Sequence, residues 1–305
     1  MNAPNDLHVR QWGTGTPVVF LHGLGASGRY WDEVRHLGNE SYTGLAVDLL
    51  GFGQSPKPPT ETYDIECHLA HIMPAVPDAA VFVGHSAGAL LALALAVRFP
   101  ERVLGLVLCS LPAFPDAPTA RNEIARLGIV ARLTVARGRR ARVLCWIMCR
   151  LRLVGIAIAP IFARGVPAAV ARDALRHTYT SYSRTLQHVI VDHRAASDLA
   201  ARADPTLLVH GRDDEVVPVR YVETLASPRA RVVVVDGDHY LPIRNPSACA
   251  TAIRDVLVAL DAHTESVLLS GLGQDLRPLR RHIVVGTVRL DEVTDPDERS
   301  ERGPR

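Results

Sequence analysis

Apolar and polar positions near the start of the chain fall into strand-like patterns. Residues 7–12 alternate, and 17–21, 42–49, 79–83 and 102–109 are short, almost continuously apolar runs, each followed by a turn containing glycine, serine or proline. Between them, residues 27–36, 63–76 and 89–97 carry helical patterns. Ser27 is placed to cap the first, Pro74 interrupts the end of the second, and Phe99-Pro100 stops the third. Strand patterns resume at 206–210 and 231–235, and a last helix is predicted over 247–260. Alternation of this kind predicts an α/β fold in which a mostly parallel central sheet is flanked by helices.

The alternation lapses between residues 114 and 198, where the chain is helix-rich and has no convincing strand. An all-helical segment between two strands of such a sheet reads as a cap over the strand ends, where doubly wound sheets place their ligand crevice. Residues 143–163 raise the question of a membrane span, but Arg150, Arg152 and Pro160 cut the apolar run below the length of a bilayer. The predicted organisation is therefore a core of 1–113 and 199–263, a helical cap of 114–198, and a C-terminal extension of 264–305. That extension has a short β-like segment at 282–288 and a charged end expected to be disordered from Asp291.

The chain has 305 residues, 48% of them apolar and 22% charged, with a net charge of +2, as in an ordinary soluble globular enzyme with no nucleic-acid partner. Residues 1–10 lack a basic start followed by an apolar segment, so no signal peptide is expected and the cytosol is the expected setting. Five cysteines (Cys67, Cys109, Cys145, Cys149 and Cys249) are scattered through apolar stretches, which suits reduced core thiols. Cys145 and Cys149 lie one helical turn apart, but no second ligand pair follows to make a zinc site. Lys57 is the only lysine, and fourteen arginines against five acids give residues 114–198 a charge of +9. This surplus reads either as steering for an anionic or carrier-bound acyl substrate or as a solvated helical face.

The chemistry concentrates in turns. Gly84-His85-Ser86-Ala87-Gly88 joins an apolar strand to an Ala/Leu helix. A turn that tight needs glycines where side chains would collide, and it pushes the serine hydroxyl into the open at a helix N-terminus. A competing pattern is Gly23-Leu-Gly25-Ala-Ser-Gly28, which follows a strand and precedes Asp48 by twenty residues, as a nicotinamide-dependent oxidoreductase would require. That reading leaves Ser86 and the later acidic and histidine turns as coincidences. A serine hydroxyl needs a histidine to accept its proton, and the histidine needs a carboxylate to orient it. His239 stands in a turn after the strand at 231–235, and Asp214 follows the preceding strand.

Taken together, Phe20-Leu-His22-Gly23-Leu24-Gly25, Asp48-Leu-Leu-Gly51-Phe-Gly53-Gln-Ser55, Gly84 to Gly88, Gly211-Arg-Asp-Asp214-Glu-Val-Val-Pro218 and Gly237-Asp238-His239 resemble the five landmark motifs of the α/β-hydrolase fold superfamily, in its order and over residues 7–260. The resemblance implies the α/β-hydrolase fold with a helical cap inserted after the sixth strand, and a cofactor-free, metal-free triad of Ser86 as nucleophile, Asp214 as acid and His239 as base. The backbone amides of Leu24 and Ala87 are the expected oxyanion donors.

Asp213, Asp236 and Asp238 are neighbouring carboxylates with ordinary turn roles, and the family spacing favours Asp214. His85 is expected to point away from the nucleophile, His22 to hold the oxyanion loop, Asp48 to organise the neighbouring loop, and Trp31 to pack. Tyr179, Tyr182 and Arg184 are candidates for the pocket wall. A serine at 86 argues against the haloalkane dehalogenase and epoxide hydrolase chemistries, which use aspartate in this superfamily. An ester, lactone or thioester is favoured. A carbon–carbon bond hydrolase, weakened by Tyr240 where those enzymes usually have tryptophan, and a small-molecule receptor on the same fold are the alternatives.

Overall fold

The computed structural model describes residues 6–38, 42–128, 131–132, 143, 166–202 and 205–270, with 263–270 as backbone alone. Seven strands form one sheet: β1 (Val9–Trp12), β2 (Thr16–Leu21), β3 (Tyr42–Val47), β4 (Ala80–His85), β5 (Val103–Cys109), β6 (Thr206–Gly211) and β7 (Ala230–Val235). Their order is β1-β3-β2-β4-β5-β6-β7. β1 runs antiparallel to β3, and every other pairing is parallel. β4, buried along its whole length, lies at the centre. Apolar side chains alternate to its two faces, so two cores form, one on each side of the sheet.

Four helices of the core bear on the site. α1 (Asp32–Leu37) follows a 3-10 turn, Gly28–Trp31, capped by Ser27 as expected. α2 is shorter than its pattern, Ile65–Ile72, because Asp64 caps it through the Cys67 N–H at 2.8 Å and Pro74 diverts its end into a 3-10 turn. Directly after β4 comes α3 (Ala87–Arg98), buried from Ala87 to Ala96. Its alanines bring it close to the sheet, and a Cβ on Gly88 would stand 2.2 Å from the Leu21 carbonyl. The last described helix spans Pro246–Ser270, past the boundary expected at 263.

The insertion follows β5. It comes after five strands, where the resemblance implied six, because only one antiparallel strand, β1, precedes β2 among the described residues. Its described helices are α4 (Ala117–Arg126), α5 (Ala168–Asp173), α6 (Tyr179–Thr185) and α7 (Ala195–Ala201), with a π turn, Leu186–Val191, after α6. Polar contacts tie it to the core. Ser27 Oγ donates to Asp173 at 2.8 Å, Ser181 Oγ donates to the Gly51 carbonyl at 3.0 Å, and His68 meets Thr185 at 3.1 Å. Among the described residues no helix is long and apolar enough to cross a membrane, and no side-chain group could hold a metal ion. The 144–163 part of the apolar run, Cys145, Cys149 and the 282–288 segment lie outside the described residues.

Candidate active site

Ser86 sits between β4 and α3 with φ 51° and ψ −117°, a backbone conformation that L-residues avoid. The turn tolerates it because Gly84 and Gly88 face each other. A Cβ at Gly84 would lie 2.4 Å from the Gly88 carbonyl oxygen. The Ser86 N–H donates to the Cys109 carbonyl at 3.0 Å, and the Ser86 carbonyl accepts from Ala89 N–H at 2.9 Å, so the strained residue is held from both sides.

His239 and Asp214 arrive on two turns bonded to each other. Asp213 N–H donates to the Gly237 carbonyl at 3.0 Å, and Arg212 N–H donates to the Val235 carbonyl at 2.8 Å. Gly211 is required at this junction, since a Cβ there would lie 2.5 Å from the carbonyls of Gly237 and Asp238. His239 Nε2 stands 3.1 Å from Ser86 Oγ, and its Nδ1 stands 2.8 Å from Asp214 Oδ2. A carboxylate only accepts, so the proton lies on Nδ1 and Nε2 is left to accept from the serine hydroxyl. The other Asp214 oxygen, Oδ1, accepts from the amides of Val216 at 2.9 Å and Val217 at 2.7 Å. Ser86, Asp214 and His239 are 6%, 4% and 6% exposed, whereas Asp213 and Asp236 lie open to solvent.

Three further histidines around the triad hold backbone. His85 points away from the serine, as expected, and its Nε2–H donates to the His239 carbonyl at 2.7 Å. His22 Nδ1–H donates to the Gly23 carbonyl at 2.7 Å while its Nε2 accepts from Leu49 N–H at 3.0 Å. His210, absent from the sequence reading, donates to the Val217 carbonyl at 2.8 Å and lies 3.4 Å from Asp214 Oδ2. Burial holds His22, His85 and His210 below the ordinary imidazole pKa, so all three favour the neutral form. The only sequence signal for His210 was its place next to Gly211, at the end of a strand.

Asp48 is spent on two neighbouring turns. Its two oxygens accept from Gly28 N–H at 2.6 Å and Gln54 N–H at 2.7 Å, leaving nothing aimed at a ribose. The turn where a pyrophosphate would rest holds the Asp173 carboxylate against Ser27. Both observations speak against the dinucleotide reading. Gly25, at φ 76°, has Tyr182 of the cap over it, 3.3 Å from where a Cβ would be.

A cavity of about 550 Å³ opens above Ser86 and His239. Gly23, Leu24 and Gly25 form one side of it, and Tyr179 and Tyr182 reach in from the cap. Arg184 does not line it and instead donates to the Glu61 carbonyl. Trp31 is fully buried against Phe20, with ring centroids 5.2 Å apart, as expected for packing.

Residues 18–252 match the family model described as the alpha/beta hydrolase family. The chain belongs to that family. As a member it is 30% identical over 263 residues to 2-hydroxymuconate semialdehyde hydrolase of Pseudomonas sp. (strain CF600), a match covering 82% of this chain and 89% of the relative. It is 29% identical over 252 residues to the probable lysophospholipase BODYGUARD 4 of Arabidopsis thaliana, with 71% of this chain matched. The chain spans 60% of the length of that relative and 54% of BODYGUARD 2. Among solved structures, a thermophilic esterase from Thermogutta terrifontis shares the fold with a TM-score of 0.60 at 24% identity, over 83% of this chain and 93% of that one.

Proposed function

We propose that this family member is a serine hydrolase that cleaves a small ester, lactone or thioester through an acyl-enzyme on Ser86. The observation that carries the reading is the unbroken line Ser86 Oγ, His239 Nε2, His239 Nδ1, Asp214 Oδ2, at 3.1 and 2.8 Å, on a serine held in a strained turn at a helix start. Ser86 Oγ attacks the acyl carbon as its proton passes to His239 Nε2, and Asp214 stabilises the imidazolium. The negative charge on the former carbonyl oxygen is met by the amides of Leu24, beside Ser86 in the cavity wall, and Ala87, first residue of α3. His239 then returns the proton to the leaving alcohol or thiol. Water repeats the sequence on the acyl-enzyme and releases the acid, so every step balances without a cofactor.

Cap (114–198) and core (1–113 and 199–263) act together here, because the cap supplies the roof of the cavity. The setting we propose is cytosolic, where buried Cys109 and Cys249 stay as thiols with their sulfurs 3.7 Å apart. A fluorophosphonate probe tests the reading. It should label the wild-type chain and fail on Ser86→Ala, and p-nitrophenyl butyrate should be hydrolysed by the first and not the second. Labelling that persists in the variant overturns the assignment of Ser86.

A further inference from the structure

The basic cap poses a question about the substrate that the cavity wall answers. Seven of its fourteen arginines are among the described residues, and none of the seven lines the cavity. Several are engaged elsewhere: Arg121 lies 3.7 Å from Asp192, Arg126 3.1 Å from Glu123 and Arg176 3.4 Å from Asp173. Among the described lining residues there is no arginine, lysine, aspartate or glutamate. The polar side-chain groups there are the Ser86 hydroxyl, tyrosine hydroxyls and the imidazoles of His85, His177 and His239. His85 is already committed to the His239 carbonyl, and burial pushes the phenols of Tyr30, Tyr182 and Tyr240 above their ordinary pKa, which keeps them neutral.

The two sides of the wall come from different cores. Phe114, Leu186 and Val217 belong to the cluster on one face of the sheet, and Ala26, Tyr30 and Val170 to the cluster on the other. Ser86 stands at the strand ends between them, so whatever flanks the reacting carbonyl meets an apolar wall on either side. The 550 Å³ of space holds on the order of 18 non-hydrogen atoms if each takes roughly the 30 Å³ of a water molecule.

Resting on the serine-hydrolase reading above, we propose that the substrate is a neutral ester of medium size, apolar on both sides of its carbonyl, and that substrates bearing a carboxylate are excluded. A carboxylate carried into this wall loses its hydration and, among the described residues, meets no arginine or lysine to offset that loss. A muconate-type carbon–carbon substrate and an acyl group ending in an acid fall under the same exclusion. The described cap arginines then serve ion pairs within the cap, as Arg121, Arg126 and Arg176 do, or the seam with the core, as Arg184 does.

The experiment compares three p-nitrophenyl esters of equal acyl length on the full chain at pH 7: the hexanoate, the adipate monoester with its free carboxylate, and methyl p-nitrophenyl adipate. The methyl diester keeps the size and removes the charge. The expected result is a kcat/KM for the hexanoate and the methyl diester within a few-fold of each other, with the free acid at least about 100-fold lower. A free acid cleaved as fast as its methyl ester overturns the proposal, as does failure to cleave both neutral esters while the fluorophosphonate probe still labels Ser86. Absence of labelling overturns the serine-hydrolase reading itself, and the proposal with it.

Discussion

Replacing Asp214 by asparagine removes a charge and also sets two groups of hydrogen bonds against each other. In the wild-type chain Asp214 Oδ2 faces His239 Nδ1 at 2.8 Å while Oδ1 accepts from the Val216 and Val217 amides at 2.9 and 2.7 Å. All three partners are donors, and asparagine has a single acceptor oxygen. If that oxygen turns to His239, an NH₂ group is driven against two backbone donors. Leaving the partly buried Val216 amide and the buried Val217 amide unsatisfied costs about 1–3 kcal/mol each. The side chain therefore keeps its oxygen on the amides and presents NH₂ to His239, whose Nδ1 must become the acceptor. The proton moves to Nε2, the atom 3.1 Å from Ser86 Oγ that must receive the serine proton. The base is then present, in place and in the wrong tautomer, which in the archetypal serine protease costs about 10⁴ in kcat. We expect Asp214→Asn to fold, to melt within a few degrees of wild type, and to lose about 10³- to 10⁴-fold in kcat on p-nitrophenyl butyrate. Exposed Asp213, changed to asparagine in parallel, should keep most of the activity. An Asp214→Asn chain retaining more than about a tenth of wild-type kcat would refute the tautomer argument, and a larger loss at Asp213 would move the acid to that residue.

Three further expectations concern the scaffold. Ser86→Gly and Ser86→Ala should both be inactive, but the glycine variant should be about 1 kcal/mol the more stable, because glycine adopts φ 51° freely and the strain there exceeds its entropic cost; equal melting temperatures would show the turn unstrained. Gly88→Ala should fail to give folded protein, since its Cβ would lie 2.2 Å from the Leu21 carbonyl oxygen and 2.6 Å from that of His22, backbone atoms that cannot swing aside; a normal melting curve would contradict the packing of α3 on β2. His68 is fully buried and its pKa is pushed by that burial from 6.5 down to about 3. Above pH 6.5 it is neutral whether folded or not. Below that the unfolded chain binds a proton that the folded chain refuses, so stability falls as pH drops, by about 2 kcal/mol at pH 5 from this residue. His68→Gln should therefore lose less melting temperature between pH 7 and pH 5 than wild type does, and an equal loss would reject the assignment.

The sequence by itself carried the elements. Period-two and continuous apolar runs marked all seven described strands, because a strand buried on both faces leaves no room for polar residues. Glycines and an aspartate or histidine marked the turns that bear Ser86, Asp214 and His239, because a turn that exposes a reactive group needs special backbone. What pattern could not convey was the ordering of those turns in space. That Gly211 makes room for the carbonyls of Gly237 and Asp238, and so brings the Asp214 turn against the His239 turn, follows from β6 and β7 lying side by side. His210 entered the site, and Asp48 left the list of nucleotide ligands, only when their partners 7 and 20 residues away were placed. The cap shows the limit most plainly. Its charge of +9 is a property of composition, but whether a charge reaches the substrate depends on which face of each helix packs inward. Burial selects that face, and it turned Leu186 and Ile190 toward the cavity while the arginines described in the cap stayed off its wall.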